Sequence, residues 1–461
     1  MTARFTREEL AQATGGDWTG TPPASVEGVS TDTRTLPAGS LFVALRGDRF
    51  DGHAFLPEAA GRGAAAAVVD ERFDPTEGVP GPAGRLVVPD TLLALGAIAR
   101  LHRKRFQIPV VGVTGSNGKT TTREMVAAIL ATRGKVLKTE GNLNNEVGLP
   151  LTLLGLDPSH SAAVVEMGMS HPGEIARLAA IALPQVGVVT LAAPAHLEGL
   201  GTVDAVADAK AELYQGLPPG GIAIANADDA RMLKRAQASG RRMITFSAAK
   251  GRRGDVVVLE IVSQGDDGLR FVLGVGNREL PVHIPGLVGA HNAANAAAAA
   301  AAAIALGCTD REIGRGLATV RPVGRRLRLE QLPSGVALLD DCYNANPASM
   351  AAALATLAGL AAGRRPVAVL GDMLELGAFE AEAHRAVGAE AARAGVKALA
   401  TFGPRSRGAA EAARAAGLEA FHTEDVDALV RWTKATLAPG DVLLVKGSRG
   451  MRLERLVEAL R

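Results

Sequence analysis

The sequence predicts an α/β chain of three domains in series, the second and third built on mostly parallel sheets. Three observations predict it. The chain is 461 residues long, which at roughly 150 residues per domain makes about three. From Pro109 onward, short apolar runs alternate with helix-length segments, the rhythm of a sheet covered on both faces. The first of those runs ends in a glycine-rich turn that opens a helix.

Taken in order, residues 1–105 hold short β-rich runs at Ser40 to Leu45 and Ala65 to Val69, with turn clusters at Gly20 to Ala24 and Asp74 to Gly84. A basic stretch, Arg100 to Arg105, leads to a boundary at Pro109. The second region then reads as strand Val110 to Val113, turn Gly115 to Gly118, and helix Lys119 to Arg133. Further strands follow at Ala162 to Val165, Val186 to Leu191 and Gly221 to Ala225, while Val256 to Ile261 and Leu269 to Val275 read as an antiparallel pair joined by Gln264 to Gly268. The alanine-rich run Ala296 to Leu306 reads as a tightly packed helix, alanine being the best helix former. From about Arg321 the α/β rhythm returns, with strands at Val336 to Leu339, Val367 to Leu370, Ala398 to Phe402 and Val442 to Val445. Segments Phe106 to Ile108 and Val320 to Gly324, at the two boundaries, are expected to hinge.

Composition excludes several classes. The formal net charge is +2, from 50 Lys+Arg and 48 Asp+Glu spread along the chain, so no basic face is available to neutralise a run of phosphates. With 11 Phe, 2 Trp and 2 Tyr, stacking platforms for single-stranded nucleic acid are too few. Two cysteines, Cys308 and Cys342, cannot build a disulfide framework and fit a reducing cytoplasm. Met1 to Leu10 mixes Arg4 and Arg7 with Glu8 and Glu9 and has no apolar core, so no secretory signal is expected. The most apolar stretch falls well short of the roughly 20 residues that cross a bilayer, and no membrane insertion is expected.

The sharpest motif is Thr114-Gly115-Ser116-Asn117-Gly118-Lys119-Thr120-Thr121, between a strand and a helix. Glycines let successive N–H groups point at phosphate oxygens, the helix N-terminus adds partial positive charge, and Lys119 reaches the outer phosphates. Thr120 supplies a hydroxyl suited to Mg²⁺. The strict phosphate-loop pattern places a further glycine where Val113 stands, so the match is to a shortened G-x-x-G-K-T form. Glu166, closing a buried strand beside this loop, is either an ordinary strand-end acid or a hard oxygen donor for Mg²⁺. His196 follows another buried strand and by itself reads as a hydrogen-bonded loop histidine.

Lys210 lies on the apolar stripe of a helix from Thr202 to Gln215, together with Val203, Val206, Ala207, Leu213 and Tyr214. It must snorkel, pair with a carboxylate, or lose its charge. Desolvation favours the neutral amine, the form that reacts with CO₂ to give a carbamate. His291-Asn292-x-x-Asn295 opens the alanine-rich helix, either as amides that read a base edge or with Asn292 as a helix cap. Asp340-Asp341-Cys342-Tyr343-Asn344 follows a strand of the third region, at the ligand-binding edge of an α/β sheet, where an Asp suits ribose hydroxyls.

Together these residues resemble the Mur ligase family over nearly the whole chain. The resemblance is carried by Asp32-Thr33-Arg34, Leu41-Phe42-Val43-Ala44 and Asp51-Gly52-His53 in the first region. In the second it is carried by the short phosphate loop, Gly141-Asn142-Leu143-Asn144-Asn145, Glu166-Met167-Gly168, Ala195-His196-Leu197-Glu198, Ala209-Lys210 and Gly289-x-His291-Asn292-x-x-Asn295. In the third it rests on Asp341 to Pro347, Gly371-Asp372-Met373-x-Glu375-Leu376-Gly377 and Lys446-Gly447-Ser448-Arg449. An Asp-Asn-Pro-Arg motif, which the member adding the third peptide residue carries, is not found.

The resemblance implies a small α/β UDP-substrate-binding domain over 1–105, a central ATP-binding P-loop domain over 106–320 and a C-terminal Rossmann-like domain over 321–461. It implies an ADP-forming ligase of peptidoglycan precursor synthesis that joins D-alanyl-D-alanine to UDP-N-acetylmuramoyl-tripeptide through an acyl phosphate, working as a monomer. Lys119, His196 and Lys210 are then catalytic. Thr114 to Thr121, Asn292, Asn295, Arg326 and Asp341 bind ATP, with Arg326 chosen over Arg325 by its spacing from Gly324. Thr33, Arg34, Asn144 and Asn145 bind substrate. Thr120 and Glu166 belong to one Mg²⁺, His196 and a carbamylated Lys210 to the surroundings of a second. The competing readings are a folylpolyglutamate synthase-like ligase, which lacks a comparable first domain, and a P-loop ATPase motor or switch, which hydrolyses ATP without an amine acceptor.

Overall fold

The computed structural model describes residues 3–47, 50–73, 80–194, 197–251 and 253–461. Its three large sheets follow one another along the chain. The turn cluster expected from Asp74 falls partly, and His196 wholly, outside the described residues.

The first sheet has five strands, in the order Asp17–Gly20, Gly84–Val88, Ala66–Asp70, Leu41–Val43 and Val29–Ser30. All but the first pair run parallel. Helix Thr91–Lys104 closes this region, and Asp90 caps it by accepting from Leu92 and Leu93 N–H at 2.7 and 3.0 Å. Near its end Arg103, only 3% exposed, donates to the carbonyls of Ala182, Phe106 and Ile108 at 3.1, 2.5 and 3.1 Å. The Arg103 guanidinium thereby ties the helix, the following linker and the second region together. Leu154 and Ile181 of the second region pack into the first region's core as well. The expected hinge at Phe106–Ile108 is therefore pinned, because three carbonyls of this joint share one buried cation.

The central sheet has nine strands: Lys135–Lys138, His160–Glu166, Val110–Thr114, Val186–Val189, Ile222–Asn226, Arg242–Ser247, Val256–Gly265, Gly268–Val275 and Arg278–Ile284. The first seven run parallel, and the last two turn antiparallel. Strand Val110–Thr114 is buried throughout and sends alternate side chains to the two faces. Val111 and Val113 join one core, with helices Lys119–Leu130, Ala290–Ala305 and Asp310–Thr319. Val110 joins the other, with helices Glu174–Ala182, Val203–Gln215 and Ala230–Ala238. Ala296 to Ala303 are fully buried, since a methyl is all that fits where this helix packs against both the sheet and helix Lys119–Leu130.

The third sheet, of six strands, runs Arg328–Gln331, Ala337–Asp341, Val442–Lys446, Pro366–Gly371, Ala398–Phe402 and Ala420–Thr423. Only its first pair is antiparallel. Its register sets Asp341 directly opposite Lys446 at the C-terminal ends of adjacent strands. Helix Pro347–Leu360 follows, with Asn346 as its cap.

Candidate functional site

A cavity of about 740 Å³ opens between the central and third sheets, at the C-terminal ends of their parallel strands. The glycine-rich loop forms its floor. Gly115 has φ +146° and Gly118 φ +81°, and a Cβ at either would overlap Thr190 Oγ1 or Asn295 Oδ1. The loop is fixed from behind: Thr190 Oγ1 donates to the Asn117 carbonyl at 2.5 Å, and Ser116 Oγ donates to the Ala193 carbonyl at 3.0 Å. Thr114 and Gly115 lie beneath the surface of the cavity, whereas Ser116, Asn117, Gly118, Lys119, Thr120 and Thr121 line it. Lys119 Nζ folds back onto the Gly115 carbonyl at 2.6 Å. Desolvation lowers its pKa, with the charge of Glu166 opposing that and the charge of Arg326 adding to it.

Thr120 Oγ1 donates to Glu166 Oε2 at 2.7 Å. Asn144 Nδ2 donates to the other oxygen at 2.9 Å, and Arg123 reaches Oε2 at 3.3 Å. The carboxylate is thus buried, oriented and adjacent to the loop. Asn145 also lines the cavity, although its Oδ1 accepts from Gly148 N–H at 2.8 Å and so shapes its own turn.

Lys210 is 1% exposed and lines the same cavity. Helix Val203–Gln215 presents it inward while Asp204 and Asp208 face solvent. No hydrogen bond or ion pair holds it among the described residues, so of the three expectations for it, pairing with a carboxylate is not met there. Burial and the charge of Lys119 push its pKa well below the ordinary lysine value.

On the far wall Arg326, Asp341 and Lys446 come from the third sheet's region. The arginine beside it, Arg325, turns away to Asp340 and Glu458 at 3.0 and 2.8 Å. Leu327 has φ +49°, a left-handed corner whose N–H donates to Asp341 Oδ1 at 3.1 Å. Next to that corner the Arg326 guanidinium lies 3.9 Å from the centre of the Tyr343 ring. Lys446 Nζ donates to Asp341 Oδ2 at 2.6 Å and to the Asn344 carbonyl at 2.9 Å.

Asn292 and Asn295 are buried on the cavity wall, linked by a 3.0 Å bond from Asn295 Nδ2 to Asn292 Oδ1. The cap reading of Asn292 is corrected: Gly289 occupies the cap position, and the Asn292 amide sits in the first turn, donating to the Val288 carbonyl at 2.6 Å. His291 beside them has its pKa pushed down to about 4, by burial first and by Lys446 second.

Thr33 and Arg34 stand apart from this cavity, in the first region. Thr33 is buried in a short 3₁₀ turn, and Arg34, its side chain 82% exposed, forks onto Asp32. Sequence reasoning did not single out Lys446 as the partner of Asp341, Arg123 as a neighbour of Glu166, or Asn346 as a neighbour of the loop. The shared C-terminal strand ends were the available signal for the first of these.

Comparison with known proteins adds to this geometry. The profile "Mur ligase family, catalytic domain" matches residues 25–103, "Mur ligase middle domain" 113–303 and "Mur ligase, glutamate ligase domain" 325–449. The UDP-N-acetylmuramoyl-tripeptide--D-alanyl-D-alanine ligase of Synechocystis sp. is 42% identical, over 94% of this chain and 92% of that protein. The ligase of the same name from Escherichia coli is 40% identical, over 95% and 94%. A crystal structure of MurF from Acinetobacter baumannii superimposes with a TM-score of 0.90 at 34% identity, covering 100% of this chain and 99% of that one. MurF from Thermotoga maritima in complex with ADP does so with 0.83 at 29%, covering 94% and 96%. The three matched profiles and the near full-length relatives place this chain in the Mur ligase family.

Proposed function

We propose that the protein is an ATP-dependent, ADP-forming ligase that joins D-alanyl-D-alanine to UDP-N-acetylmuramoyl-tripeptide in peptidoglycan precursor synthesis. The observation that carries the reading is the convergence, in one cavity, of the glycine loop, Glu166 and Lys210 with Arg326, Asp341 and Lys446 of the third region. ATP sits with its phosphates on the loop and Lys119, its ribose toward Asp341 and its base against Asn292 and Asn295. The first region, with Thr33 and Arg34, holds the UDP end of the acceptor, and Asn144 and Asn145 face its peptide.

A carboxylate oxygen of the tripeptide attacks the γ-phosphorus, ADP departs, and an acyl phosphate results. The dipeptide amine then adds to the acyl carbon, gives up a proton, and expels inorganic phosphate. Two anions meet in the first step, so the chain contributes positive charge where negative charge accumulates: Lys119 from the loop, Arg326 from the opposite wall. Tyr343 stacks beneath that guanidinium and keeps it aimed. Asn144 holds Glu166 in place.

The donors Thr120 Oγ1 and Glu166, both hard oxygens beside the loop, fit Mg²⁺ and would hold it there. The metal would supply charge neutralisation at the phosphates. Lys210, buried without a partner among the described residues, fits carbamylation: its depressed pKa raises the reactive amine fraction, and the carbamate offers oxygens toward a second cation. The family resemblance also assigns His196, which lies outside the described residues, to the surroundings of that second cation. By the family resemblance, the chain works as a cytoplasmic monomer. Separately, no helix among the described residues is long and apolar enough to cross a membrane.

Mass spectrometry of the product formed from ATP, UDP-N-acetylmuramoyl-tripeptide and D-alanyl-D-alanine tests the assignment. The expected result is the pentapeptide nucleotide, with ADP and phosphate released in equal amounts only when both substrates are present. ATP hydrolysis without an amine acceptor, at the same rate, would sink it.

A further inference from the structure

Helix Pro347–Leu360 is one of the elements by which the third region touches the central one. At its far end Arg364 pairs with Asp266 at 2.8 Å, and Gly359 lets Gln264 approach so closely that a Cβ would overlap the Gln264 amide. At its near end the cap residue Asn346 meets the phosphate loop. Asn117 Nδ2 donates to Asn346 Oδ1 at 3.2 Å, and Asn346 Nδ2 donates back to Asn117 Oδ1 at 2.7 Å. The same Asn346 Oδ1 accepts from Ser349 N–H at 2.9 Å, closing the capping box.

Capping alone does not require asparagine. Aspartate and serine accept from the helix N–H groups about equally well, but neither carries a side-chain amide NH₂ to satisfy Asn117 Oδ1. Asn117 is held no less tightly, since Thr190 fixes its carbonyl and the glycines on either side of Ser116 and Asn117 admit no Cβ. Its amide therefore moves with the loop and not independently of it.

We propose that Asn346 is a positioning residue, and that the Asn117–Asn346 amide pair latches the third region onto the phosphate loop once that loop is seated on nucleotide. The inference rests on the reading of the loop as the ATP site. Phosphate oxygens set the position of the loop's N–H groups, the loop sets the position of the Asn117 amide, and the amide pair transmits that position to the cap of helix Pro347–Leu360. Tyr343 and Asp341, just before the cap, then meet the nucleotide in register.

The test is a double-mutant cycle with Asn117→Ser, Asn346→Ser and the double variant. Serine at 346 preserves the cap, so the thermal midpoint is expected to fall by no more than a few degrees. Each single variant is expected to lower kcat/KM about tenfold, as the loss of two hydrogen bonds implies, and the double variant to lose no more than either single. Losses that multiply to about a hundredfold, or three variants that turn over like wild type, overturn the latch. Small-angle scattering with a non-hydrolysable ATP analogue and Mg²⁺ gives a readout free of the amide reaction. Wild type is expected to compact and the variants to compact less, and equal compaction overturns the latch. Should wild type form no amide product, the substrate reading fails by itself, and the scattering comparison still decides this one.

Discussion

Lys446 and Asp341 face each other across two adjacent parallel strands, their charged groups 2.6 Å apart and shielded from solvent. Burial raises the pKa of Asp341, while the lysine beside it works in the opposite sense. Removing the lysine strands a buried carboxylate. Lys446→Met is therefore expected to destabilise the third region by about 3–5 kcal/mol at pH 8. Without its cation, Asp341 binds a proton more tightly folded than unfolded, so stability returns as pH falls. Calorimetry at pH 8 and pH 5 checks the sign: the deficit is expected to shrink at the lower pH.

His291 gives a second pH effect. Its folded pKa of about 4 lies below the unfolded value of about 6.5, so the unfolded chain takes up the proton first and stability drains away as pH falls from about 6.5 toward 4. Thermal midpoints of wild type and His291→Gln across that window are expected to converge at the acid end. A wild-type curve parallel to the variant's would show that the imidazole is not the group responsible.

Lys119→Ala is expected to reduce turnover by at least about a thousandfold, the scale on which removing a preorganised charge at a phosphoryl transfer acts. Affinity for the UDP substrate should stay close to wild type, because its nucleotide end is assigned to the first region. Titration calorimetry separates the two, and an affinity that fell in step with turnover would refute the division of labour between the regions.

For Lys210, arginine is expected to be as damaging as alanine although it keeps the charge, since guanidinium forms no carbamate. Acetate or formate at high concentration is expected to restore part of the alanine variant's activity. Lys210→Met separates function from stability. An ammonium buried with no partner among the described residues costs the fold at low and neutral pH, and the cost vanishes as pH climbs to the ordinary lysine range near ~10.4. In CO₂-depleted buffer the methionine variant is therefore expected to melt about 2–4 °C higher at pH 7 while being inactive. Full activity in Lys210→Arg would favour a plain amine.

Arg103→Met removes the donor from three carbonyls at the joint between the first and second regions. Stability of the joint is expected to fall by about 2–5 kcal/mol, with the first region melting as a separate, earlier transition in calorimetry. A single unchanged transition would show the joint to be held by apolar packing alone.

What could be read in the sequence was whatever chemistry is contiguous. The phosphate loop needs glycine, lysine and threonine within eight positions, and the buried strands around it are unbroken apolar runs. Lys135–Lys138, Arg242–Ser247, Arg328–Gln331 and Ala420–Thr423 were missed because charged or polar residues punctuate them, and all but Arg242–Ser247 border the edge of a sheet. Arg278–Ile284, another edge strand, carries Pro281 in its middle. The pairs Asp341 with Lys446 and Asn117 with Asn346 were missed for a different reason. Each joins residues more than a hundred positions apart, and nothing in the spacing says which polar ends a fold will bring face to face. For Asn292 the sequence left two readings open, and a capping residue type near a helix start kept the cap among them even though a glycine holds that position.

The strand order of the central sheet also bears on how the chain is made. Val110–Thr114 lies between His160–Glu166 and Val186–Val189, so when the phosphate loop leaves the ribosome neither of its flanking strands yet exists. Thr190, which braces the loop, follows later, and Asn346 comes 229 positions after Asn117. At about 5–20 residues per second, the loop therefore waits more than ten seconds for its last support. The glycine loop is thus complete in the nascent chain long before the residues that brace it, Thr190 and Asn346, have been made.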